Sequence, residues 1–251
     1  MKKGSLISIV ITYYKKKSFL NRTIKSILNQ SYKNYEIIFV YDDKDKNDLK
    51  FTKKALSKFK KKKFIINKRN LGVAKSRNIA IKFAKGSYVA FIDSDDIWKR
   101  NKLKKQLKFM TKNAHNFSFT SYGIIDDKNK IIKEKNVSED ANYFKLLRSN
   151  SIGLNTVMIN KKILSKIHFP NLTTQEDFAL WLKLSRQGVE LKHLNETLSY
   201  WRKTENSLSS NIIRKLIDAF RLYYVFEKKN FIFSVYSVLV LSYNRLIKIF
   251  Y

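Results

Sequence analysis

The amino-acid sequence predicts an α/β fold, with a doubly wound, mostly parallel sheet followed by a helical C-terminal extension. Short apolar, β-branched segments alternate with segments of helical period over roughly the first hundred residues. That alternation is typical of βαβ units, which build parallel sheets. Residues 211–251 consist mainly of apolar and basic side chains, and this composition predicts the extension.

The predicted elements of the first half are short and follow one another closely. Residues 6–11 follow two lysines as the apolar part of a signal peptide would, but no small-residue cleavage site follows, so they are interpreted as a first buried strand. The next segment predicts a helix with Ser18 as its N-cap and Leu20, Ile24 and Ile27 on one face. The other predicted elements are strands at 36–41, 64–66 and 88–92, and helices around 51–59 and at 73–84. Gly86 is expected to end the last of these helices as its C′ residue.

Beyond Trp98 the pattern is less regular. Strands at 117–125 and 130–135 are expected to form a hairpin, and helices are expected at 102–110, 176–184 and 212–226. Residues 231–243 are apolar but include serine and tyrosine, and they are fewer than the ~20 residues that span a bilayer.

Charge is the unusual feature of the composition. The chain has 52 Lys and Arg against 20 Asp and Glu, a formal net charge of +32. Such a charge attracts polyanions such as nucleic acid, anionic lipid or phosphorylated small molecules. An AT-rich coding sequence would also enrich Lys, Asn and Ile together, so both explanations stay open. The absence of Cys excludes disulfides, thiolate metal ligands and a Cys nucleophile.

Polar residues follow three of the predicted strands, at the edge where ligands bind in such sheets. The clearest group is Asp93, Ser94, Asp95 and Asp96, directly after the strand at 88–92. Like charges this close repel unless a cation neutralises them, and oxygen ligands suit Mg²⁺ or Mn²⁺. The alternative is that Asp93 caps the next segment and that the other carboxylates are solvated.

Two further segments are weaker signals on their own. Gly72 opens a predicted helix whose N-terminus can attract phosphate, with Arg77 as a natural phosphate partner, but a capped helix with a surface arginine explains the same residues. Glu176 and Asp177 start another helix, where the helix dipole favours acids without any catalytic role. A catalytic interpretation requires one of them to face the site as a general base.

Taken together, these segments resemble the family-2 glycosyltransferases, which are inverting sugar transferases of the Rossmann-like GT-A fold. The resemblance rests on residues 8–14, Asp42 and Asp43, residues 70–78, the Asp93-Ser94-Asp95 group and Glu176-Asp177, in that order. It covers about 6–96 well and extends thinly to about 210, where Trp201, Arg202 and residues 207–210 are loosely similar. It implies a GT-A domain at residues 1–210, with a nucleotide-binding half at about 1–98 and an acceptor half at about 99–210, followed by the extension at 211–251.

The resemblance implies a role for each matching residue. The nucleotide-binding set is Thr12, Tyr14, Asp42, Arg77 and Asp93. Asp95 would ligate Mn²⁺ or Mg²⁺, and Asp177 would deprotonate the acceptor hydroxyl. The sequence departs from the family where Ile11 replaces a frequent Pro, Lys15 replaces the usual Asn, and Lys44-Asp45 replaces a common Gly-Ser.

The expected activity is transfer of a sugar from a nucleotide-diphospho-sugar, with UDP-sugar as the expected donor. The expected acceptor is a glycan or lipid-linked oligosaccharide that becomes lipopolysaccharide, O-antigen or capsule. The rival interpretation is a basic nucleic-acid-binding protein with a carboxylate metal site, such as a nuclease or polymerase. Because the sequence has no helix-turn-helix, RRM or zinc signature, a nucleic-acid partner is not expected.

The C-terminal extension carries basic residues between apolar ones. They are Arg214, Lys215, Arg221, Lys228, Lys229, Arg245 and Lys248. This pattern predicts attachment to an anionic membrane surface and a cytoplasmic enzyme that is peripheral on the inner face of the cell membrane. The alternatives are that these helices pack on the domain or form a dimer contact.

Overall fold

The computed structural model describes residues 4–137, 139–204 and 211–250, the last six of these by their backbone alone. Residues 207–210 of the family resemblance, the predicted domain boundary at 210 and the side chains of Arg245 and Lys248 therefore lie outside the described part. The division into a domain and an extension stays a prediction.

The strands form one mixed sheet with the order β3-β2-β1-β4-β8-β6-β9-β5, and β7 pairs with β6. The strands are β1 (Ile7–Tyr13), β2 (Tyr35–Tyr41), β3 (Lys62–Ile66), β4 (Tyr88–Asp93), β5 (Ile97–Trp98), β6 (Phe117–Ile125), β7 (Ile131–Lys135), β8 (Met158–Asn160) and β9 (Lys192–Arg202). Strands β1 to β4 are parallel to one another, and β8 joins β4 antiparallel. Thr12 is paired with Asp93, so the ends of β1 and β4 meet at the same edge.

Helices cover both faces of the sheet, which confirms the predicted doubly wound fold. They are α1 (Lys17–Leu28), α2 (Lys46–Leu56), α3 (Val73–Phe83), α4 (Lys102–Lys112), α5 (Tyr143–Arg148), α6 (Lys161–Leu164), α7 (Glu176–Arg186), α8 (Ile212–Arg221) and α9 (Phe231–Phe250), and Leu222–Phe226 continues α8 as a π-helical turn. Successive side chains of β1 enter opposite cores: Ile9 packs with α1 and α4, and Val10 packs with α3 and α7.

Two local predictions are wrong. Helix α1 begins at Lys17 without a side-chain cap, so Ser18 lies inside it. Gly86 is not a left-handed C′ residue, because α3 already ends at Phe83 and the next residue, Ala84, is extended. Gly86 instead lets the chain approach β1, since a Cβ there would lie 2.6 Å from the Leu6 carbonyl oxygen and from the Ser8 nitrogen.

The second half contains strands that the sequence pattern did not indicate. Strand β9 is long, but most of its residues are only partly buried and many of them are polar. Strand β8 has only three residues. The predicted hairpin of β6 and β7 is confirmed, as is the apolar face of α7. No helix within the residues that the structure describes is both long enough and apolar enough to cross a membrane.

Candidate active site

A cleft of about 1060 Å³ opens at the carboxyl ends of β1, β2 and β4 and is closed on its far side by the start of α7. The sequence-predicted site residues all line it. They are Thr12, Tyr14, Asp42, Arg77, Asp93, Asp95 and Asp177. The structure therefore gathers into one cleft residues that lie more than 160 positions apart in the chain.

Asp42 organises the end of β2. Its carboxylate accepts hydrogen bonds from the backbone nitrogens of Leu71 (2.8 Å) and Gly72 (2.9 Å) and from the side-chain amide of Asn67 (2.7 Å). These bonds fix the turn that leads into α3, at its N-cap residue Gly72 and the residue before it. Asp42 thus holds the turn that leads into α3, and it lines the cleft.

The loop after β1 forms the neighbouring wall. Tyr14 is 41% exposed at the mouth of the cleft. Lys15 has a left-handed backbone with φ of 51°, and its N–H donates to Asp43 at 3.1 Å. Asn adopts this conformation more easily than Lys, so Lys15 is less favourable in this turn than the Asn that the family resemblance implies.

Arg77 is buried and joins two walls of the cleft. Its guanidinium donates to Asp93 at 2.7 Å and to Glu176, and it lies over the Phe169 ring at 5.5 Å. Burial lowers the pKa of Arg77, but the carboxylates of Asp93 and Glu176 outweigh burial and raise it, so the group stays charged. The end of β4 and the start of α7 are held at a fixed separation by this residue, and a direct phosphate contact by Arg77 stays a prediction.

Asp95 and Asp96, which follow β4, have different environments. Asp95 faces the cleft and forms an ion pair with Lys16 at 2.8 Å. Asp96 is 1% exposed and accepts from the side chain of Asn155 (2.7 Å) and the backbone of Arg202 (2.9 Å). Burial raises the pKa of both Asp95 and Asp96, and Lys16 lowers that of Asp95 in part. Asp96 therefore ties β4 to β9, whereas Asp95 lines the cleft with Lys16 as its partner.

Glu176 and Asp177, which are adjacent in sequence, also have different environments. Gln175, with φ of 61°, leads into α7, and because consecutive residues of a helix point about 100° apart, Glu176 and Asp177 leave the helix in different directions. Glu176 is bound to Arg77. Asp177 is half-buried, and one of its oxygens accepts from its neighbour's backbone N–H at 2.7 Å. Burial raises the pKa of Asp177, and Arg77 lowers it in part, so the carboxylate is a stronger base than a solvated Asp.

A sequence model of the family described as Glycosyl transferase family 2 matches residues 8–167, which include the β1, β2, α3 and β4 parts of this cleft. The chain belongs to this family. The protein is therefore a glycosyltransferase, and membership favours this interpretation of the acid cluster over the nuclease or polymerase-like one.

Relatives of the glycosyltransferase match over most of its length. An uncharacterized glycosyltransferase of Haemophilus influenzae is 33% identical over 246 residues, 97% of each chain. The putative teichuronic acid biosynthesis glycosyltransferase TuaG of Bacillus subtilis is 36% identical over 208 residues, 82% of each chain. WfaP of Escherichia coli, a UDP-Glc:alpha-D-GlcNAc-diphosphoundecaprenol beta-1,3-glucosyltransferase, is 36% identical over 215 residues, 84% of this chain and 83% of that one.

Solved structures confirm the expected GT-A fold. S. aureus TarS 1–349 in complex with UDP-GlcNAc superposes with a TM-score of 0.73 at 19% identity, covering 88% of this chain and 65% of that one. The mannosyltransferase PcManGT from Pyrobaculum calidifontis, in complex with GDP-Man and Mn²⁺, gives a TM-score of 0.70 at 12% identity, covering 91% of this chain and 66% of that one. The glycosyltransferase thus spans about two thirds of each of these neighbours.

The residues at the end of β4 fit a divalent cation in part. Asp95 offers carboxylate oxygens at the cleft surface, and Asp93 lies two residues before it. Within the described residues, no three acidic or histidine side chains converge on one point. Mg²⁺ and Mn²⁺ commonly take one or two protein carboxylates and complete their shell with substrate phosphates and water. The donor set fits that pattern, provided that the Lys16 ammonium moves off Asp95.

Two residues that support the site were not predicted as such. Lys16 neutralises Asp95 and donates to Thr204 at 3.1 Å, but nothing distinguishes it in sequence from the other lysines. Arg202, only loosely similar to the family in sequence, is 1% exposed and donates to the Asp95 carbonyl at 2.8 Å. It also donates to Asp126 and Asn129, so it holds the acid loop against the β6–β7 hairpin.

Proposed function

We propose that the glycosyltransferase moves a sugar, with inversion, from a UDP-sugar to a hydroxyl of a lipid-linked glycan that becomes part of a cell-surface polysaccharide such as lipopolysaccharide, O-antigen or capsule. The observation that carries the proposal is the position of Asp177. Its carboxylate is half-buried in the same cleft as Asp93 and Asp95, whereas its neighbour Glu176 is bound to Arg77.

The comparisons support this choice of substrates. WfaP and WfgD, both of Escherichia coli, are named for a UDP-Glc donor and a diphosphoundecaprenol-linked acceptor. TuaG is named for teichuronic acid biosynthesis, and TarS binds UDP-GlcNAc. PcManGT binds GDP-Man, so the fold alone does not select the nucleotide. The relatives that share a third of their residues with this chain favour UDP.

The donor would lie along the carboxyl edge of the sheet. Thr12 and Tyr14 would flank the base. Asp42 would accept a hydrogen bond from the ring N–H of the base, in addition to the bonds it accepts from the turn before α3. Asp93 and Asp95 would face the ribose and diphosphate. Asp95 would hold Mn²⁺ or Mg²⁺, which would supply positive charge against the negative charge that develops on the leaving diphosphate. Arg77 would lie near the diphosphate and would also hold Asp93 against the start of α7.

Asp177 would act as the general base of a single displacement. The acceptor oxygen forms a bond to the anomeric carbon as the bond to the diphosphate breaks, and the acceptor proton moves to the Asp177 carboxylate. One displacement from the opposite face inverts the configuration, unlike the two-carboxylate route of retaining hydrolases. The partly buried position raises the pKa of Asp177 and so strengthens it for this task.

The place of action follows from the acceptor class. A lipid-linked glycan stays in the membrane, and nucleotide sugars are cytoplasmic, so the enzyme would work as a peripheral protein at the inner face of the cell membrane. A water-soluble analogue of the acceptor would still be a substrate, because the proposed chemistry involves only the sugar hydroxyl.

The test of the proposed function compares Asp177→Asn with Glu176→Gln. Both substitutions keep the side-chain size and remove one carboxylate. Asp177→Asn should lower kcat by about 10²–10⁴-fold, because a positioned base contributes that much, while the melting-temperature increase that UDP and Mn²⁺ produce stays as in wild type. Glu176→Gln should have a much milder effect on kcat. Wild-type turnover in Asp177→Asn, or the large loss in Glu176→Gln alone, would refute the assignment.

The donor is identified by the same thermal measurement. UDP-sugars with Mn²⁺ should raise the melting temperature more than GDP-sugars do, because a ligand that binds only the native state stabilises it in proportion to its occupancy. The configuration of the product, read by NMR of the new anomeric proton, tests inversion directly.

A further inference from the structure

Helices α8 and α9 bury polar residues beside apolar ones such as Leu222 and Tyr223, and they leave many large apolar residues exposed. Helix α8 buries Asp218 completely but leaves Ile213 73% exposed. Helix α9 buries Ser234 completely but leaves Ile232 81% and Leu239 63% exposed. A helix on the surface of a water-soluble protein normally shows the opposite arrangement.

The outward apolar side chains form two stripes at helical spacing. On α8 and its π-helical continuation they are Ile212, Ile213, Leu216, Ile217, Tyr224 and Val225, and on α9 they are Phe231, Ile232, Val235, Tyr236, Leu239 and Tyr243. Among the residues whose side chains the structure describes, these are twelve of the eighteen large apolar side chains that are exposed. Contiguous apolar surface of this kind marks an interaction site.

The exposed charges of the segment that contains α8 and α9 are all positive. Asp218 and Glu227 are the two acidic residues of the whole 211–251 segment, and both are buried. Arg214, Arg221 and Lys228 are exposed beside the apolar stripes. The outer face of α8 and α9 therefore combines apolar and cationic side chains and presents no exposed acidic side chain.

We propose that the outer face of α8 and α9, called the docking face below, binds the surface of an anionic lipid bilayer. Apolar stripes flanked by Lys and Arg suit the boundary between acyl chains and negatively charged headgroups. A second copy of the chain fits less well, because it would bring an equally cationic face and a net charge of +32 against this one. The proposal extends the membrane location proposed above and gives the surface responsible for it.

The inner side of α8 links the docking face to the active site. The Asp218 carboxylate accepts from the backbone N–H and the hydroxyl of Thr174, both at 2.9 Å, and the Lys215 carbonyl accepts from Gln175 at 3.0 Å. Thr174 and Gln175 line the cleft immediately before α7. The bilayer would thus lie one helix away from the loop that presents Asp177, which suits an acceptor whose lipid stays in the membrane.

The test measures flotation of the full chain with vesicles of phosphatidylcholine, with and without about a quarter phosphatidylglycerol, at ~0.1 M salt. Wild type should float with the anionic vesicles and bind the neutral ones more weakly. The variant Ile232→Glu/Leu239→Glu should lose roughly tenfold or more for each side chain. The variant Arg214→Gln/Lys228→Gln should lose about 25- to 30-fold on anionic vesicles, because each basic residue near the surface contributes about fivefold. Ile132→Glu on β7 is the matched control, since Ile132 is also exposed, at 55%, and it should bind as wild type does.

The outcomes separate this inference from the proposed function. Wild-type protein that stays with the buffer, or an Ile232→Glu/Leu239→Glu variant that floats like wild type, overturns the docking face. Wild type that is dimeric without lipid and becomes monomeric in that variant also overturns it, because the face is then a dimer contact. The variant's melting-temperature response to UDP and Mn²⁺ and its turnover of a water-soluble acceptor should match wild type, so loss of vesicle binding is read independently of the chemistry.

Discussion

The end of β4 and the pair α8–α9 distribute polar and apolar residues in opposite ways. Strand β4 is buried on both faces, and its apolar residues lead to Asp93 and Asp95 at the cleft. Helix α8 encloses its carboxylate, Asp218, and turns Ile213 outward. Apolar side chains are normally buried and charged ones exposed, because the transfer of apolar surface out of water is favourable. The difference fits the two proposals: a polar ligand would lie against the first region, and a surface that is itself apolar and charged would lie against the second.

The largest expected effect is that of replacing Asp95, whose carboxylate lines the cleft, and it is compared with that of replacing the buried Asp96. Asp95→Ala should lower kcat/KM by at least ~10³-fold and abolish the metal dependence of UDP binding, because charge stabilisation of this kind is worth several kcal/mol. The melting temperature should fall by no more than about 2–4 °C, since the side chain loses one ion pair, with Lys16. Turnover near wild type in the presence of metal would show that Asp95 does not hold the cation.

The adjacent Asp96→Ala is the matched control for stability. It leaves the Asn155 amide and the Arg202 N–H without their acceptor in the interior. Each unsatisfied group destabilises by about 1–3 kcal/mol, so the free energy of unfolding should fall by about 2–6 kcal/mol. Chemical denaturation measures this loss, and a variant as stable as Asp95→Ala would contradict the structural role of Asp96.

A smaller effect tests the enclosed carboxylate of α8. Asp218→Ala leaves the backbone N–H of the buried Thr174 without its acceptor, whereas the Thr174 hydroxyl can rotate to another acceptor, so we expect a loss of about 1–3 kcal/mol in the free energy of unfolding. The loop before α7 should also shift, and a displacement of about 1 Å at a reacting group can lower kcat by up to about 10²-fold.

Asp218→Asn distinguishes positioning from general destabilisation. Its amide oxygen can still accept from Thr174, so it should restore kcat while KM for the donor stays constant in both variants. Equal kcat values in Asp218→Ala and wild type would show that α8 does not position the loop that carries Asp177.

The smallest expected effect concerns Lys102, a charged residue that is buried at the start of α4. Its ammonium donates to Gln106 at 2.7 Å and lies over the Trp98 ring at 4.3 Å, and burial lowers its pKa to about 7. The unfolded chain therefore binds this proton more tightly than the folded one, so the stability contribution of Lys102 should rise between about pH 7 and pH 10 by a few kcal/mol at most.

Lys102→Met removes this group without introducing a charge. Urea unfolding of wild type and variant across that pH range should show wild type gaining stability relative to the variant as the pH rises. A difference that stays constant with pH would mean that Lys102 keeps its proton when buried.

Local periodicity was enough to predict much of the fold and part of the site. Short apolar segments that alternate with helical ones predicted β1, β2 and β4. Because parallel strands end at one edge of the sheet, these segments also predicted that Asp42 and Asp93 would lie at the same edge. Strand β9 was missed because it is half-buried and polar in alternation, so its apolar residues do not stand out. The cap at Ser18 and the role of Gly86 were predicted wrongly, because both depend on how the chain packs against β1 and its loop.

The sequence by itself determined which acids reach the cleft, at the end of β4 and at the start of α7, and it also determined the amphipathic spacing of α8. The tertiary structure alone decided their partners. It bound Glu176 to Arg77 and left Asp177 open, separated Asp95 from Asp96, and turned the apolar stripe of α8 outward while Asp218 accepts from Thr174. The physical reason is that a helical or strand period fixes which side chains share a face, whereas the element packed against that face, distant in sequence, decides whether the face is buried, paired or exposed.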